Sequence, residues 1–493
     1  MRIVVVGAGL GGLSAAAHLS NRGHQVTVLE RESVPGGRAG VVAQEGFQLD
    51  TGPTVLTMPE VLSATFAAAG SELADFVRLR PVDPMYRAVF VDGSTLYIRR
   101  GREAMTEEIR AFSGSRDAAA FGRFSDWLEG LHRIEMSNFI DVNFDSPLDL
   151  VRSWRAVASL VGHGGFGRMG KRMASYFDDE RLQRVFGSQS LYAGLAPREA
   201  LAVQTVVTHT DTHGVFVPDG GMHTIARSLA GAVEKAGVTI RYRSPVTRLL
   251  RGAAGSINGV EVGGSTRVAA DAVVCNADLP VAYRTLLGGV EAPRVARRGR
   301  YAPSCLLWIA GVRGDRPEGA AHHNLHFGDA WDDSVRAVIK QGRRMRDPSI
   351  LVTIPSADSG TAPDGCTSLY VLEPMPNLDG RIDWSKERDR IAGDLRRRVA
   401  AFGYPCDVVV ERVYDPLDWE AMGLERGTPF ALAHTLRQSG PFRPNNIDQR
   451  VPGLVFVGSS TRPGLGVPMV LISGRLAADR VDQYARETSI VRW

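Results

Sequence analysis

The chain has little of what marks a special environment. Four cysteines, Cys275, Cys305, Cys366 and Cys406, are scattered through 493 residues, and no two are spaced C-x-x-C. That excludes a disulfide framework and a zinc knuckle and fits a reducing compartment. Lysine is scarce too. Only Lys171, Lys235, Lys340 and Lys386 occur, and the other members of the 58 basic residues are arginine. That imbalance reads as a GC-rich genome. No basic block with interleaved aromatics appears, so no nucleic-acid partner is expected. Against 54 acidic residues the formal net charge is only +4. No apolar run of about eighteen residues occurs, so no membrane span is expected. Met1 and Arg2 run straight into an apolar strand with no cleavage site behind it, which is unlike a signal peptide. Internal repeats and low-complexity tracts are absent as well. The expectation is a cytoplasmic protein.

What is present is ordinary globular composition, 44% apolar and 23% charged, over a length that suggests roughly three domain-sized units. Residues 3–6 are a continuous β-branched run, the pattern of a parallel strand covered on both faces. Gly7, Gly9 and Gly12 follow in G-x-G-x-x-G spacing. A helix-like stretch runs from 13 to 21, and Gly23 is placed to end it. Residues 26–29 read as a second strand, closed by Glu30. Strand, glycine loop, helix, strand and acidic end make a dinucleotide-binding unit. Gly7 allows the tight turn, Gly9 lets the backbone approach a pyrophosphate, and Gly12 lets the helix pack closely. The helix N-terminus aims free N–H groups at phosphate. Glu30 is suited to accept hydrogen bonds from ribose hydroxyls.

Residues 60–215 do not continue a doubly wound pattern. Residues 86–91 and 95–98 read as a hairpin around Asp92-Gly93, and 104–131 and 149–160 read as helices. The first unit resumes near Gly220. Met222, Ile225, Leu229 and Val233 form a helical stripe, followed by a strand at 238–242. Asn258-Gly259 reads as a tight hairpin turn, and residues 271–276 as a further strand. Strand-like runs at 306–312, 349–354 and 369–372 suggest a second sheet, and 383–402 a charged helix. Residues 453–461 read as a buried strand that stops at Gly458. A small-residue loop to Gly466 and a final helix over 470–484 follow, so a positive helix end again faces an electron-rich group.

The segment Glu30-Arg31-Glu32-Ser33-Val34-Pro35-Gly36-Gly37-Arg38 resembles the extended FAD fingerprint of the amine oxidase and phytoene desaturase superfamily. Asp50-Thr51-Gly52-Pro53-Thr54 resembles its loop beside the flavin. Residues 453–481 resemble the closing signature of bacterial-type phytoene desaturases. Residues 189–197, 216–223 and His322-His323-Asn324 resemble the same family, so the likeness covers essentially the whole chain. The resemblance implies an α/β fold in which a Rossmann-like FAD-binding domain (1–80, 216–300, 426–493) is interleaved with an α+β substrate domain (81–215, 301–425) carrying a helical membrane-facing part. It implies FAD held by Gly7, Gly9, Gly12, Glu30, Gly37, Arg38, Gly52, Pro53, Val246, Gly458, Gly466, Val467, Pro468 and Met469. In related flavoproteins a backbone group at the Val246 position contacts the adenine. The resemblance further implies a C40 carotenoid substrate, most simply phytoene dehydrogenated stepwise toward lycopene, with a quinone or oxygen as electron acceptor. Alternatives are a redox-neutral carotenoid isomerase or another flavin-dependent oxidase. Amine oxidases typically carry an acidic residue after the glycine that ends the last strand, whereas Ser459 stands here.

Desaturation removes a hydride and a proton. The allylic cation left after hydride loss is so acidic that a weak base suffices, and the cofactor carries the hard chemistry. His209 and His213, four apart on one helix face, are the candidates for a proton role. His322, His323 and His326 lack carboxylate or cysteine at ligand spacing, so no metal is expected. Leu148, Leu150, Val151, Trp154, Val157, Leu160 and Val161 alternate with Arg152 and Arg155 and precede Arg168, Lys171, Arg172 and Arg184. That pattern suits a helix lying in an anionic membrane surface, hence peripheral membrane contact.

Overall fold

The computed structural model describes residues 1–252 and 255–490. It is a mixed α/β fold. The strand β1 (Arg2–Val6), the helix α1 (Leu10–Asn21) and the strand β2 (Gln25–Leu29) open the chain. From Ile3 to Val6 every residue of β1 is buried, because the continuous apolar run is covered on both faces. Five parallel strands form the first sheet, in the order Leu454–Phe456, Ala272–Cys275, β1, β2, Thr239–Arg241. Its members come from the start, middle and end of the chain. The register pairs Val6 with both Leu29 and Cys275, and Cys275 with Phe456. Four strands therefore end on one line, and the segments starting at Gly7, Glu30, Asn276 and Val457 all leave from the same edge. In a parallel α/β sheet that carboxyl edge is where ligands bind.

The closing helix Val467–Ile490 packs on α1. Ser14 Oγ donates to Leu471 O at 2.7 Å, and a Cβ on Gly474 would stand 2.5 Å from that hydroxyl. Ala15, Ala16, Leu19, Leu229, Val233 and Ala477 complete this core with the helix His223–Lys235. Small side chains let the helices approach closely.

A second sheet has seven strands, in the order Asp407–Tyr414, Ser304–Arg313, Cys366–Met375, Ile350–Thr353, His323–His326, Tyr86–Val89, Thr95–Ile98. One of its pairings, Tyr86–Val89 with His323–His326, is parallel and the others are antiparallel. A helical layer with an aromatic core around Phe121, Phe124, Phe177 and Phe186 lies beside it.

Three local expectations are corrected. The helix expected over 104–131 is two helices, Arg102–Ser113 and Ser115–Glu135. Gly114 at φ 96° cannot continue a right-handed helix and turns the chain between them. The helix expected over 149–160 divides at Ser153 into Asp149–Arg152 and Trp154–Gly162. Asn258 and Gly259 lie inside the strand Ile257–Val262, not in a turn. A Cβ at Gly259 would stand 2.4 Å from Val268 O on the neighbouring strand, so close strand approach explains this glycine. Gly263 and Gly264, both at positive φ, make the turn instead. Among the described residues no helix is long and apolar enough to cross a membrane.

Candidate functional site

Gly7 leaves β1 at φ 95° and donates its N–H to Leu29 O at 2.8 Å. That tight exit brings the chain over the sheet edge. Gly9 precedes α1 with no side-chain cap, so the first-turn N–H groups have no side-chain acceptor. A Cβ on Gly9 would stand 2.7 Å from Asn276 Nδ2, and one on Gly12 would stand 2.1 Å from Gly7 O. Gly36 donates its N–H to Ala8 O, and a Cβ on Gly37 would stand 3.3 Å from Gly9 Cα. A Cβ on Gly52 would meet Arg38 O at 1.8 Å. Three glycine segments thus press backbone against backbone around one space. The side-chain-free cradle with an uncapped helix N-terminus suits a pyrophosphate.

Glu30 follows β2 directly and is 5% exposed. Its Oε2 accepts from Ala8 N at 2.6 Å and its Oε1 from Glu32 N at 2.9 Å. The carboxylate ties the glycine loop to the strand end, and each oxygen keeps a further lone pair for a ribose hydroxyl. Val246 begins the strand Val246–Arg251, two residues after Ser244, whose N–H donates to Glu30 O at 2.7 Å. Glu30 and the turn into Val246 thus stand side by side at the strand end.

Arg38 is half-buried. Its Nη1 donates to Pro429 O at 2.9 Å and to Ser459 Oγ at 2.5 Å. Both acceptors are neutral. Burial holds the guanidinium pKa below its ordinary value, and the Asp278 carboxylate opposes that shift. A cation pressed into the cradle with neutral partners suits a diphosphate. Asp278 itself is held by Ser460 Oγ and by Glu425 N at 2.8 Å. Gly458 stands at φ 107° beside Asn276 Oδ1, and Gly466 at φ 110° starts the closing helix at Val467, Pro468 and Met469. That helix begins three residues earlier than the apolar periodicity marks, so its N-terminus sits at the loop end.

Asp50 fixes the neighbouring loop. Buried, it accepts from Met222 N at 2.8 Å and His223 N at 3.0 Å. Burial pushes its pKa up to about 6 against those two bonds and the nearby His322. Gly52 and Pro53 follow at once, so the N-terminus of His223–Lys235 anchors the stretch that carries them.

His209 and His213 come together, but in the helical layer. His209 is buried and stacks on His132 at 4.2 Å and on His213 at 3.7 Å. Burial pushes its pKa down to about 3, and the two flanking imidazoles add to that. His213 Nδ1 donates to His209 O at 2.8 Å. His323 pairs with Thr353 Oγ1 at 2.6 Å and stacks on Tyr86, and His322 donates to Thr54 O at 3.3 Å. His326 shares a hydrogen bond with Tyr404 OH. Among the described residues no group of three or more His, Cys, Asp or Glu is placed to hold a metal.

Several residues of the site escape sequence reasoning. Asn276 follows the buried strand Ala272–Cys275 and puts its amide among Gly7, Gly9, Gly11, Gly12 and Gly458. The one available signal was a polar residue closing an apolar run. Arg443 and His434 behind the closing loop gave none, because a lone arginine or histidine in a Pro/Gly-rich segment reads as surface.

The chain matches the model of the flavin-containing amine oxidoreductase family over residues 10–482. It is 44% identical to a phytoene dehydrogenase of Streptomyces griseus over 97% of this chain and 94% of that one. It is 36% identical to a zeta-carotene-forming phytoene desaturase of Myxococcus xanthus over 99% of this chain and 95% of that one. An oxidoreductase from Methanosarcina mazei has a similar fold, with TM-score 0.60 at 18% identity over 96% of this chain and 99% of the other.

Proposed function

The chain belongs to the flavin-containing amine oxidoreductase family, on its phytoene desaturase branch, and on that premise we propose that it dehydrogenates phytoene in steps at the polyene CH–CH units. It is an FAD-dependent carotenoid desaturase. The observation that carries the reading is likeness to phytoene desaturases over nearly the whole chain, joined to one dinucleotide cradle at the sheet edge. Bound FAD supplies a two-electron acceptor for hydride. The roles we give the chain follow from its geometry. The glycine segments admit the diphosphate, Glu30 the ribose, and Arg38 offsets phosphate charge. The helix start at 466–469 would stabilise negative charge on the reduced cofactor. A quinone or oxygen would serve as the terminal electron acceptor.

The proton needs little help. The allylic cation left after hydride loss is acidic enough for a weak base, and His209, uncharged at neutral pH, fits no more than that role. FAD on the purified protein is therefore expected to bleach when phytoene in liposomes is added without oxygen and without nicotinamide. His209→Ala and His213→Ala should slow bleaching by well under the roughly hundredfold loss of an obligatory general base. Bleaching that requires NAD(P), or that either variant abolishes while keeping FAD, overturns this account. Products of lower mass mean desaturation, whereas unchanged mass with altered cis/trans pattern means the isomerase reading holds instead.

A peripheral membrane position supports delivery of a substrate this apolar. Leu148 is 76% exposed, Val151 69%, and Trp154 and Val161 61% each. Arg155 lies over the Trp154 ring at 5.5 Å, and the Arg152 side chain is 88% exposed. Apolar and indole groups beside cations match an anionic bilayer surface. Trp154→Glu is expected to lower flotation with anionic liposomes by about tenfold, the scale of one buried aromatic side chain, with FAD content unchanged. Equal flotation of variant and parent rejects membrane docking through this segment.

A further inference from the structure

The second sheet carries a row of side chains that the reading above leaves without a role. Tyr370, Thr353, His323 and Tyr86 stand opposite one another on four adjacent strands, so their side chains share one face. Their contacts agree, since Thr353 Oγ1 pairs with the His323 ring and the Tyr86 ring stacks on it at 5.1 Å. This face looks toward the cofactor loop. His323 Nε2 lies 3.4 Å from the Oγ1 of Thr54, the residue after Pro53. Phe47 and Leu49, on the strand that ends at Asp50, pack in the same cluster as Tyr370. Phe430, next to the Pro429 carbonyl that Arg38 holds, packs on that cluster too and meets Tyr192 edge-on at 5.6 Å. Tyr370 therefore shares one cluster with two segments that border the cradle.

Tyr370 is 7% exposed. A phenol this enclosed usually finds a partner. Its hydroxyl makes no hydrogen bond among the described residues and is not one of their sealed polar atoms, so the oxygen keeps some accessible surface. Burial lifts its pKa well above the usual tyrosine range, and Cys305, Tyr192 and Asp50 nearby add to that, so the group is a neutral phenol. A polyene hydrocarbon has no atom to hydrogen-bond with it. What the substrate does present is positive charge. One C–H bond gives its hydrogen and electron pair to the cofactor, and an allylic cation remains until the neighbouring carbon loses a proton to a weak base. The face of an aromatic ring attracts a cation, most strongly where water is absent. We infer that the Tyr370 ring lies against the reacting CH–CH unit and stabilises that cation, which makes it a catalytic group. This rests on the reading of the chain as a carotenoid desaturase. The attraction exists only once charge develops, so it acts on rate and leaves substrate affinity alone.

Phenylalanine and leucine separate the ring from mere bulk. Tyr370→Phe should slow anaerobic bleaching of FAD by phytoene about threefold, and Tyr370→Leu about thirtyfold. FAD affinity and the half-saturating phytoene level should not change in either. A second readout needs no turnover. A prenyl chain ending in trimethylammonium, and its neutral tert-butyl isostere, are titrated in phosphatidylcholine liposomes against the absorbance of the bound flavin. The parent and Tyr370→Phe should prefer the cation about tenfold, and Tyr370→Leu should show no preference. Should the leucine variant fail to fold, a fluorinated ring in Tyr370→Phe keeps the shape, and each added fluorine should weaken both readouts. A Tyr370→Phe protein as slow as Tyr370→Leu means that the hydroxyl matters and overturns the inference. So does a Tyr370→Leu protein that bleaches and prefers the cation like the parent, or a fluorinated series with no trend. A parent protein whose FAD phytoene does not bleach overturns the desaturase reading instead, which keeps the two failures distinct.

Discussion

Gly12→Ala is expected to yield a protein purified without FAD. The added methyl has nowhere to go. Its ideal position is 2.1 Å from Gly7 O and 3.2 Å from Asn276 Nδ2. The first of these is backbone in the tight exit from β1, with no flexible side chain that can swing aside. Relief requires α1 to move away from the loop. That costs about 1–3 kcal/mol in a packed core and carries the first-turn N–H groups off their target. Cofactor loss thus exceeds the loss of stability. The ratio of flavin to protein absorbance after purification reads the first, and thermal unfolding of the apoprotein reads the second. Gly162→Ala is the control, since nothing lies within 4 Å of a Cβ there, and it should keep full FAD. A Gly12→Ala protein with normal flavin content would mean that α1 does not seat the diphosphate.

The opening unit is legible in the sequence because its determinants are local. A buried strand, a glycine loop, a helix and an acidic strand end follow one another within thirty residues, and each residue type answers a backbone constraint at its own position. The closing loop and helix are legible for the same reason. Long-range facts are not. Pairing of Leu454–Phe456 with Ala272–Cys275 joins segments some 180 residues apart, and no periodicity announces it. Asn276 acquires its meaning only when that pairing brings Gly458 to the glycine loop. Asn258-Gly259 shows the opposite error. Its turn chemistry is sound as local reasoning, but the approach of Val268 O gives the glycine a different job. Gly114 and Ser153 interrupt amphipathic stripes that continue past them, so pattern alone joins helices the backbone separates. His209 and His213 meet as the i, i+4 spacing requires. The third imidazole, His132, lies on another helix and is invisible to spacing.

Arg443→Met is expected to lower stability by about 3–5 kcal/mol, the scale for breaking a buried charged network. Arg443 is 1% exposed. Its Nε donates to Thr461 O at 3.0 Å and Nη2 to Ser459 O at 2.6 Å. Nη1 reaches Leu432 O at 3.3 Å and Gln438 O at 3.4 Å. Burial brings its pKa down to about 10, so it remains charged at neutral pH. One planar guanidinium therefore satisfies four carbonyls and fastens the loop after Gly458 to the segment 432–438. Methionine fills much of the stem volume but leaves those carbonyls without donors in a site closed to water. Unfolding in denaturant should show the full loss, and FAD should dissociate faster because Ser459, the partner of Arg38, sits on the released loop. Arg443→Lys should recover only part of it, because a single ammonium cannot span carbonyls arrayed around a planar fork. Arg437→Met, at an exposed position six residues earlier, should change stability by no more than about 0.5 kcal/mol. An Arg443→Met protein as stable as that control would show that other contacts hold the closing loop, and the faster FAD dissociation should then be absent as well.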